Sequence, residues 1–475
     1  MSTLMTKQVI AASGIAFGTS GARGLVEQFT AETCGAFALA FLNSLKANYR
    51  VSQLAIAIDN RPSSPAMAQA CATALQAHDI EVIYYGVVPT PALAYQAMLD
   101  GMPCIMVTGS HIPFDRNGLK FYTPDGEISK DDELAIIETD LAFAPFTELP
   151  ELPVNPLAAE TYIARYVSLF DQPWLAGKRI GIYEHSSAGR NLYASLFELL
   201  GAEVISLGRS DEFVPIDTEA VSEEDKKQAR EWSAQYNLDC LFSTDGDGDR
   251  PLVADENGDY LRGDILGLLT ADELNIEALA VPVSCNTMIE ACARFNRVER
   301  TKIGSPYVIA MFDELAKNYA GVAGFEANGG FLLGSDVTVN DQLLKALPTR
   351  DAVLPVIMLL VGAQRSAIST MVEALPARYT HSDRIKRFPT ETSRTILAQG
   401  QDSPAVLLDK LGIQGEITTV DTTDGLRMTF ANGEIVHLRP SGNAPELRCY
   451  AESESIQGAR MLVQQALTQI QTIKL

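Results

Sequence analysis

Cysteine is scarce, with seven residues in 475. Cys34, Cys71, Cys104, Cys240, Cys285, Cys292 and Cys449 are odd in number, widely scattered and never spaced C-x-x-C. That argues against a disulfide framework and for buried thiols in a reducing compartment. Positive charge is also short: 37 Lys plus Arg face 60 Asp plus Glu, a formal net charge of -23. Duplex binding needs a basic face, so nucleic acid is excluded as a main partner, and any anionic ligand requires a local exception to the bulk field. Long hydrophobic runs are missing. The longest, residues 352–363, carries Pro355 and stops well short of the roughly 20 residues of a spanning helix. It reads as a core helix, and no membrane partner is expected. Residues 9–17 form a weak apolar stretch after Lys7 that runs straight into a Gly/Ser/Arg motif, which reads as a cytoplasmic start rather than a signal peptide.

What the chain does contain is a pattern that recurs three times. Residues 54–58 form an apolar run ending in Asp59-Asn60-Arg61-Pro62, followed by a helix-like stretch to about His78 and a second run at 81–86. Residues 179–183, a polar turn at 184–189, a helix-like stretch to Leu200 and a run at 202–208 repeat it. So do 279–283, a turn at 284–287, a helix to about Phe295 and a run at 298–304. Strand, polar turn, helix and strand make a βαβ unit. The expectation is an α/β fold: three related α/β domains, each with a βαβ-containing mixed sheet, and a smaller C-terminal α+β domain around a central cleft. Proline-dense 144–156, the turn near 256–259 and the segment 363–378 divide the chain into 1–150, 151–257, 258–370 and 371–475. The last part shows a hairpin pattern over 427–438, with Asn432-Gly433 at the turn, and a terminal amphipathic helix over 456–473.

Chemistry concentrates in five short segments. Asp245-Gly246-Asp247-Gly248-Asp249-Arg250 follows a strand-like run. The glycines let the loop curl so that three carboxylates meet on one hard cation, most economically Mg²⁺. An EF-hand is excluded because its sixth position must be glycine and here is Arg250; a solvated acidic turn is the bland alternative. Ser110 lies at the carboxyl end of a strand-like run, where open α/β sheets place ligands, with His111, Arg116 and Lys120 close behind. It suits a nucleophilic or phosphate-carrying serine, or else a polar loop. Residues 17–24, including Arg23, form a glycine-rich loop suited to an oxyanion that matches neither a Walker A loop nor a dinucleotide fingerprint. Glu326 and Asn328 could bond adjacent sugar hydroxyls, or form an ordinary Asn-Gly turn. Arg439, Ser441, Gly442, Asn443 and Arg448 make a loop composed to hold a phosphate dianion, or a surface turn. One motif falls in each inferred domain, so four domains can converge on a single cleft.

Together, residues 108–113, 245–250 and 439–448 resemble the α-D-phosphohexomutase superfamily, the phosphoglucomutase and phosphomannomutase enzymes, and the resemblance spans essentially the whole chain in motif order. It implies an isomerase interconverting hexose 1- and 6-phosphates, of mannose or glucose, through a phosphoserine at Ser110 and a bisphosphorylated sugar. It implies one Mg²⁺ held by Asp245, Asp247 and Asp249 against Ser110, and a hexose bisphosphate as activator. Lys120, Arg23 and His111 match positions used for proton transfer and positioning, and Arg250 should orient the reacting phosphate. Glu326 and Asn328 match the sugar clamp, and Arg439, Ser441, Gly442, Asn443 and Arg448 the clamp for the non-reacting phosphate. The partner implied is a small-molecule sugar phosphate, acted on by a monomer or homodimer. The sugar loop reads Glu-Ala-Asn-Gly-Gly where bacterial mannose/glucose enzymes usually have Glu-Met-Ser-Gly-His, so a frequent histidine is Gly330 here. The same loop is similar to that of the acetylglucosamine-phosphate mutases, which keeps glucosamine phosphates as an alternative. A sugar-phosphate phosphatase and a non-enzymatic sensor are the other readings.

Overall fold

The computed structural model describes residues 3–18, 20–146, 148–171, 173–441 and 445–473. In the first sheet, strand Gln53–Ile58 lies between Glu81–Val87 and Cys104–Val107, both parallel to it, and Cys104–Val107 turns back into antiparallel Arg116–Thr123. The order then repeats. Arg179–Tyr183 lies between parallel Glu203–Leu207 and Cys240–Thr244, with antiparallel Pro251–Ala254 outside. Ala278–Pro282 lies between parallel Arg297–Thr301 and Val322–Phe325, with antiparallel Phe331–Leu333 outside. The three expected βαβ units are present, and each is extended by an antiparallel strand that no hydrophobic pattern announces. These closing strands matter because each is reached through one of the loops that carry chemistry.

The sheets are covered on both faces, which is why their strands read as continuous apolar runs. In Gln53–Ile58 the alternation of a strand sends Leu54, Ile56 and Ile58 among the residues of helices Ala31–Leu45 and Ser64–Gln76, and Ala55 and Ala57 toward helix Thr90–Leu99. Helix Leu157–Val167 packs on Thr90–Leu99 and joins the first unit to the second. The apolar run at 352–363 is helix Val353–Gly362, buried in the same core, with Pro355 in the first turn where no intrahelical N–H is lost.

The third unit departs from expectation. Its helix runs only over Met288–Ala291 rather than to Phe295, because the chain turns at Ala293 with a left-handed φ of 52° and enters the next strand at Arg297. The glycine-rich stretch 17–24 is also not an open loop. Ala16–Phe17 and Ala22–Leu25 pair as a hairpin on the edge of the first sheet, Thr19 lying outside the described residues. The C-terminal part is an antiparallel five-stranded sheet in the order Tyr379–Lys386, Glu446–Ser453, Ile435–Pro440, Leu426–Phe430, Ile417–Asp421, backed by helices Thr390–Asp402, Pro404–Leu411 and Ile456–Ile470. Asn432-Gly433 forms the turn of its central hairpin, Gly433 at φ 80°. All seven cysteines are free thiols, and among the described residues no helix is long and apolar enough to cross a membrane.

Candidate active site

Three equivalent loops build the centre. Residues 108–115, 245–250 and 326–330 each link the last parallel strand of a sheet to its antiparallel neighbour. Ser110 is fully buried in the first loop, and its backbone is left-handed at φ 52°, a conformation a non-glycine residue keeps only when its surroundings impose it. The surroundings are Asp59 and Arg61, at the end of strand Gln53–Ile58. Asp59 accepts from the Thr108 hydroxyl at 2.8 Å and the Gly109 amide at 3.3 Å. Buried Arg61 donates Nε to Asp59 at 3.2 Å, Nη1 to the carbonyls of Pro113 and Arg116, and Nη2 to those of Ser110 and Ile112. All five of its N–H groups are used, and four of them hold the serine loop.

The Ser110 hydroxyl donates to Asp245 Oδ2 at 2.6 Å. Carboxylate oxygens of Asp245, Asp247 and Asp249 lie within 4.8 Å of one another, and all three residues are buried. The two glycines of the loop are required by space: a Cβ on Gly246 would sit 2.7 Å from the Ser110 carbonyl, and Gly248 has φ 71° with Pro89 against it. Burial, then Asp247 and Asp249, push the Asp245 carboxyl well above the ordinary range. Asp247 is held well below that range despite burial, because Lys120 and the Thr90 hydroxyl outweigh it. Oδ1 of Asp247 and Oδ1 of Asp249 are buried with no donor among the described residues. Buried anionic oxygens without donors, converging from three side chains, fit a hard divalent cation such as Mg²⁺.

Cations surround this cluster. Lys120 Nζ bonds Asp247 Oδ2 at 2.5 Å and Asp249 Oδ2 at 2.6 Å; burial favours its neutral form, but the two carboxylates outweigh burial and raise its pKa. Arg23 donates to the Gly109 carbonyl at 2.9 Å, and burial pushes its pKa down to about 10. Arg250 Nη1 lies 2.7 Å from His111 Nδ1. A guanidinium only donates, so His111 accepts at Nδ1 and is neutral; burial, then Arg250 and Arg23, push its pKa down to about 2.

In the third loop Glu326 and Asn328 are buried, and Arg350 Nε donates to Glu326 Oε2. Burial alone would raise the Glu326 carboxyl, but Arg350 beside it holds it below the usual range. Asn328 accepts at Oδ1 from the Gly330 amide, and its carbonyl accepts from Thr218 of the 208–222 segment. The C-terminal clamp residues stand apart from the metal loop. Arg439 and Arg448 are cross-strand partners; Arg439 pairs with Asp424 at 2.8 Å, and neither bonds Ser110, the aspartates or Glu326. Ser441 is buried, and its amide donates to the Glu446 carbonyl. Gly442 and Asn443 lie outside the described residues.

The chain is similar to known proteins. Family models described as Phosphoglucomutase/phosphomannomutase match the chain at alpha/beta/alpha domain I over residues 14–143, alpha/beta/alpha domain III over 262–379 and the C-terminal domain over 388–468. A Salmonella muenchen chain named phosphomannomutase is 59% identical over 468 residues, 98% of each chain. The chain belongs to the α-D-phosphohexomutase superfamily. A second phosphomannomutase, from Sinorhizobium fredii, is 40% identical over 96% of this chain and 98% of its own. The crystal structure of a putative phosphomannomutase from Thermus thermophilus shares the fold, with a TM-score of 0.73 at 22% identity, covering 96% of this chain and 99% of that one. Around the centre of this phosphohexomutase the structure also places residues that its sequence motifs did not single out: Asp59, Arg61, Thr90 and Arg350. Asp59 and Arg61 carried a signal in their spacing at a strand end, while Arg350 sits in a run with no local signature.

Proposed function

We propose that the enzyme interconverts mannose 1-phosphate and mannose 6-phosphate, with glucose phosphates as secondary substrates. The observation that carries this reading is the Ser110 hydroxyl, 2.6 Å from Asp245 within three converging buried aspartates, in a chain 59% identical to a phosphomannomutase. Ser110 carries the phosphoryl group. As the bond from phosphorus to Ser110 Oγ breaks, a bond to the free sugar hydroxyl forms and that hydroxyl's proton ends on Oγ, giving a bisphosphorylated hexose. Return of the other phosphoryl group to Ser110 completes the isomerisation, so a trace of hexose bisphosphate activates enzyme that has lost its phosphate.

Asp245, Asp247 and Asp249 would hold Mg²⁺, which supplies a fixed positive charge against the transferring group. Lys120, Arg23 and Arg250 add positive charge in a largely buried site, where such charge counts most. His111, neutral, takes Arg250 on Nδ1 and so fixes its direction. Glu326 and Asn328 face the sugar hydroxyls, and Arg439, Ser441, Gly442, Asn443 and Arg448 hold the non-reacting phosphate. The bulk charge of -23 then belongs to the outer surface and favours solubility. We place the enzyme in the cytoplasm, as a monomer or homodimer acting on small-molecule sugar phosphates without nucleic acid.

The test is a coupled isomerase assay across mannose-, glucose-, glucosamine- and N-acetylglucosamine-1-phosphates, with Mg²⁺ and a trace of hexose bisphosphate. Mannose phosphate should turn over fastest. Release of inorganic phosphate in place of the isomer would establish a phosphatase, and preference for an amino sugar would transfer the reading to the glucosamine enzymes.

A further inference from the structure

Arg350 lies at the end of strand Leu347–Asp351, and its side chain is only 4% exposed. Its Nε is bound to Glu326, while Nη1 stands 3.7 Å from Asp249 Oδ2. The guanidinium therefore bridges the metal loop and the sugar loop. Neither Nη group donates a hydrogen bond to a described residue. These Nη groups are not among the fully buried orphaned atoms, so a ligand that enters the centre can reach two donor groups of a guanidinium already fixed through Nε.

The position is held from three sides. Asp351, next in the chain, accepts from Tyr162 at 2.5 Å and from Tyr166, both on helix Leu157–Val167, and from the Val353 amide. The Phe331–Asp351 pairing fixes the strand against the hairpin that carries the sugar loop. The methylenes of Arg350 lie against bare Gly330: a Cβ there would come 2.7 Å from Cδ and 2.8 Å from Cγ. Gly330 thus leaves the space through which Arg350 reaches the centre.

Charge gives Arg350 a task. Glu326, Asp249 and Glu127 are carboxylates that act on it, and Arg23, Lys120 and Arg250 are the cations that share the centre with it. Its removal takes one positive charge from the place where metal loop and sugar loop meet, where an entering phosphoryl dianion would need it.

We propose that Arg350 is a catalytic residue whose Nη groups bind the transferring phosphoryl group from the sugar side, and that Gly330 is bare to admit it. This rests on the mutase reading. The test compares R350M, R350K, G330A and G330A/R350M in steady-state isomerisation, and follows phosphorylation of Ser110 by mass spectrometry after exposure to hexose bisphosphate. R350M should lower kcat by about 10²–10³, the loss expected for one preorganised donor, with KM changed less than about threefold, and phosphorylation of Ser110 should slow in parallel. R350K should recover part of the rate. G330A should lower kcat about tenfold in the native background and have no further effect in R350M, because it acts by displacing Arg350. If R350M does not fold, R350K and G330A carry the test, and wild-type rates in both overturn the proposal. So does a kcat for R350M within threefold of wild type, or a loss confined to KM. A native chain that makes no isomer overturns the mutase reading and the role of Arg350 with it, an outcome distinct from an active chain indifferent to position 350.

Discussion

Arg61 lies over the ring of Phe213, guanidinium carbon 3.9 Å from the ring centroid. Arg61 lies just beyond strand Gln53–Ile58 of the first sheet, whereas Phe213 belongs to the segment that follows strand Glu203–Leu207 of the second. The contact shields a side chain that bonds both Asp59 and four carbonyls at the serine loop. Positioning of Ser110 is therefore a property of two units in contact, not of residues 108–115 alone.

Replacing Arg61 should affect stability and turnover together. Arg61→Ala leaves Asp59 buried without its cation and takes a donor from each of four carbonyls, which costs about 3–5 kcal/mol. Arg61→Lys keeps the charge but offers three donors where five are used, and displacement of Ser110 by about 1 Å lowers kcat roughly 10²-fold. Phe213→Ala should cost only about 0.5–2 kcal/mol, since the hydrogen bonds remain. Urea unfolding and the isomerase assay check all three; native turnover by Arg61→Lys would show that the loop holds itself.

Two of the three aspartates should respond with opposite signs. In metal-free protein, Asp245→Asn removes one of three crowded buried charges; the amide oxygen still accepts from Ser110 and only the long bond from the Arg250 amide is lost, so stability should rise by about 1–3 kcal/mol. Asp247→Asn removes a partner of both Lys120 and Thr90 and should lower stability by a similar amount. Mg²⁺ should raise the Tm of the native enzyme, and both variants should lose that increase together with activity. Thermal scans with Mg²⁺ and with a chelator measure this, and equal signs for the two variants would contradict the charge argument.

Much of this was legible in the chain, for local reasons. Strand, turn and helix patterns are short-range, and Asp245, Asp247 and Asp249 share one loop with the glycines that shape it. The missing pieces are long-range. Arg350 meets Asp249 across 101 positions and Glu326 across 24, and nothing about a Thr-Arg-Asp run says that its arginine enters a site. The closing strands Pro251–Ala254 and Phe331–Leu333 are four and three residues long, too short for alternation to show. Arg61 was visible as a strand-end residue, but four of its five acceptors exist only once residues 108–116 fold over it.

Stability should fall between about pH 6.5 and pH 4, partly through His437. This side chain is buried, stacks on Tyr450, and has Nε2 2.5 Å from the Asp424 carbonyl; Asp424, Arg427 and Arg439 are the charges facing it. Burial pushes its pKa down to about 4. Above the unfolded value of about 6.5 both states are neutral and nothing is lost. Below it the unfolded chain takes up a proton that the folded chain refuses, so stability falls with pH by up to about 3 kcal/mol and levels off below pH 4. His185, also pushed down to about 4, acts in the same window. His437→Gln keeps a donor for Asp424 without titrating, and should flatten the slope measured by urea unfolding at pH 4 to 7. An unchanged slope would mean His437 is protonated in the folded state.

Glu452 should control how the C-terminal sheet sits on the rest. It is buried, accepts from the Thr287 amide at 3.0 Å, the Thr287 hydroxyl and Arg378 Nε at 2.7 Å, and lies on the same strand as Arg448. Asn286 bonds the Arg378 carbonyl and Thr380, each at 2.9 Å, and the Ile303 amide bonds Asp424, so this junction with the third unit includes a set of directed polar contacts. Polar interfaces of this kind open more readily than apolar ones. Glu452→Ala removes the central acceptor, lowers the fraction of enzyme with Arg439 and Arg448 in place, and weakens apparent affinity by that fraction. KM for the sugar phosphate should rise about three- to tenfold with kcat changed less than twofold, and proteolysis in the 363–378 segment should accelerate. A fall in Tm with KM unchanged would reduce Glu452 to a stabilising contact with no part in closing the cleft.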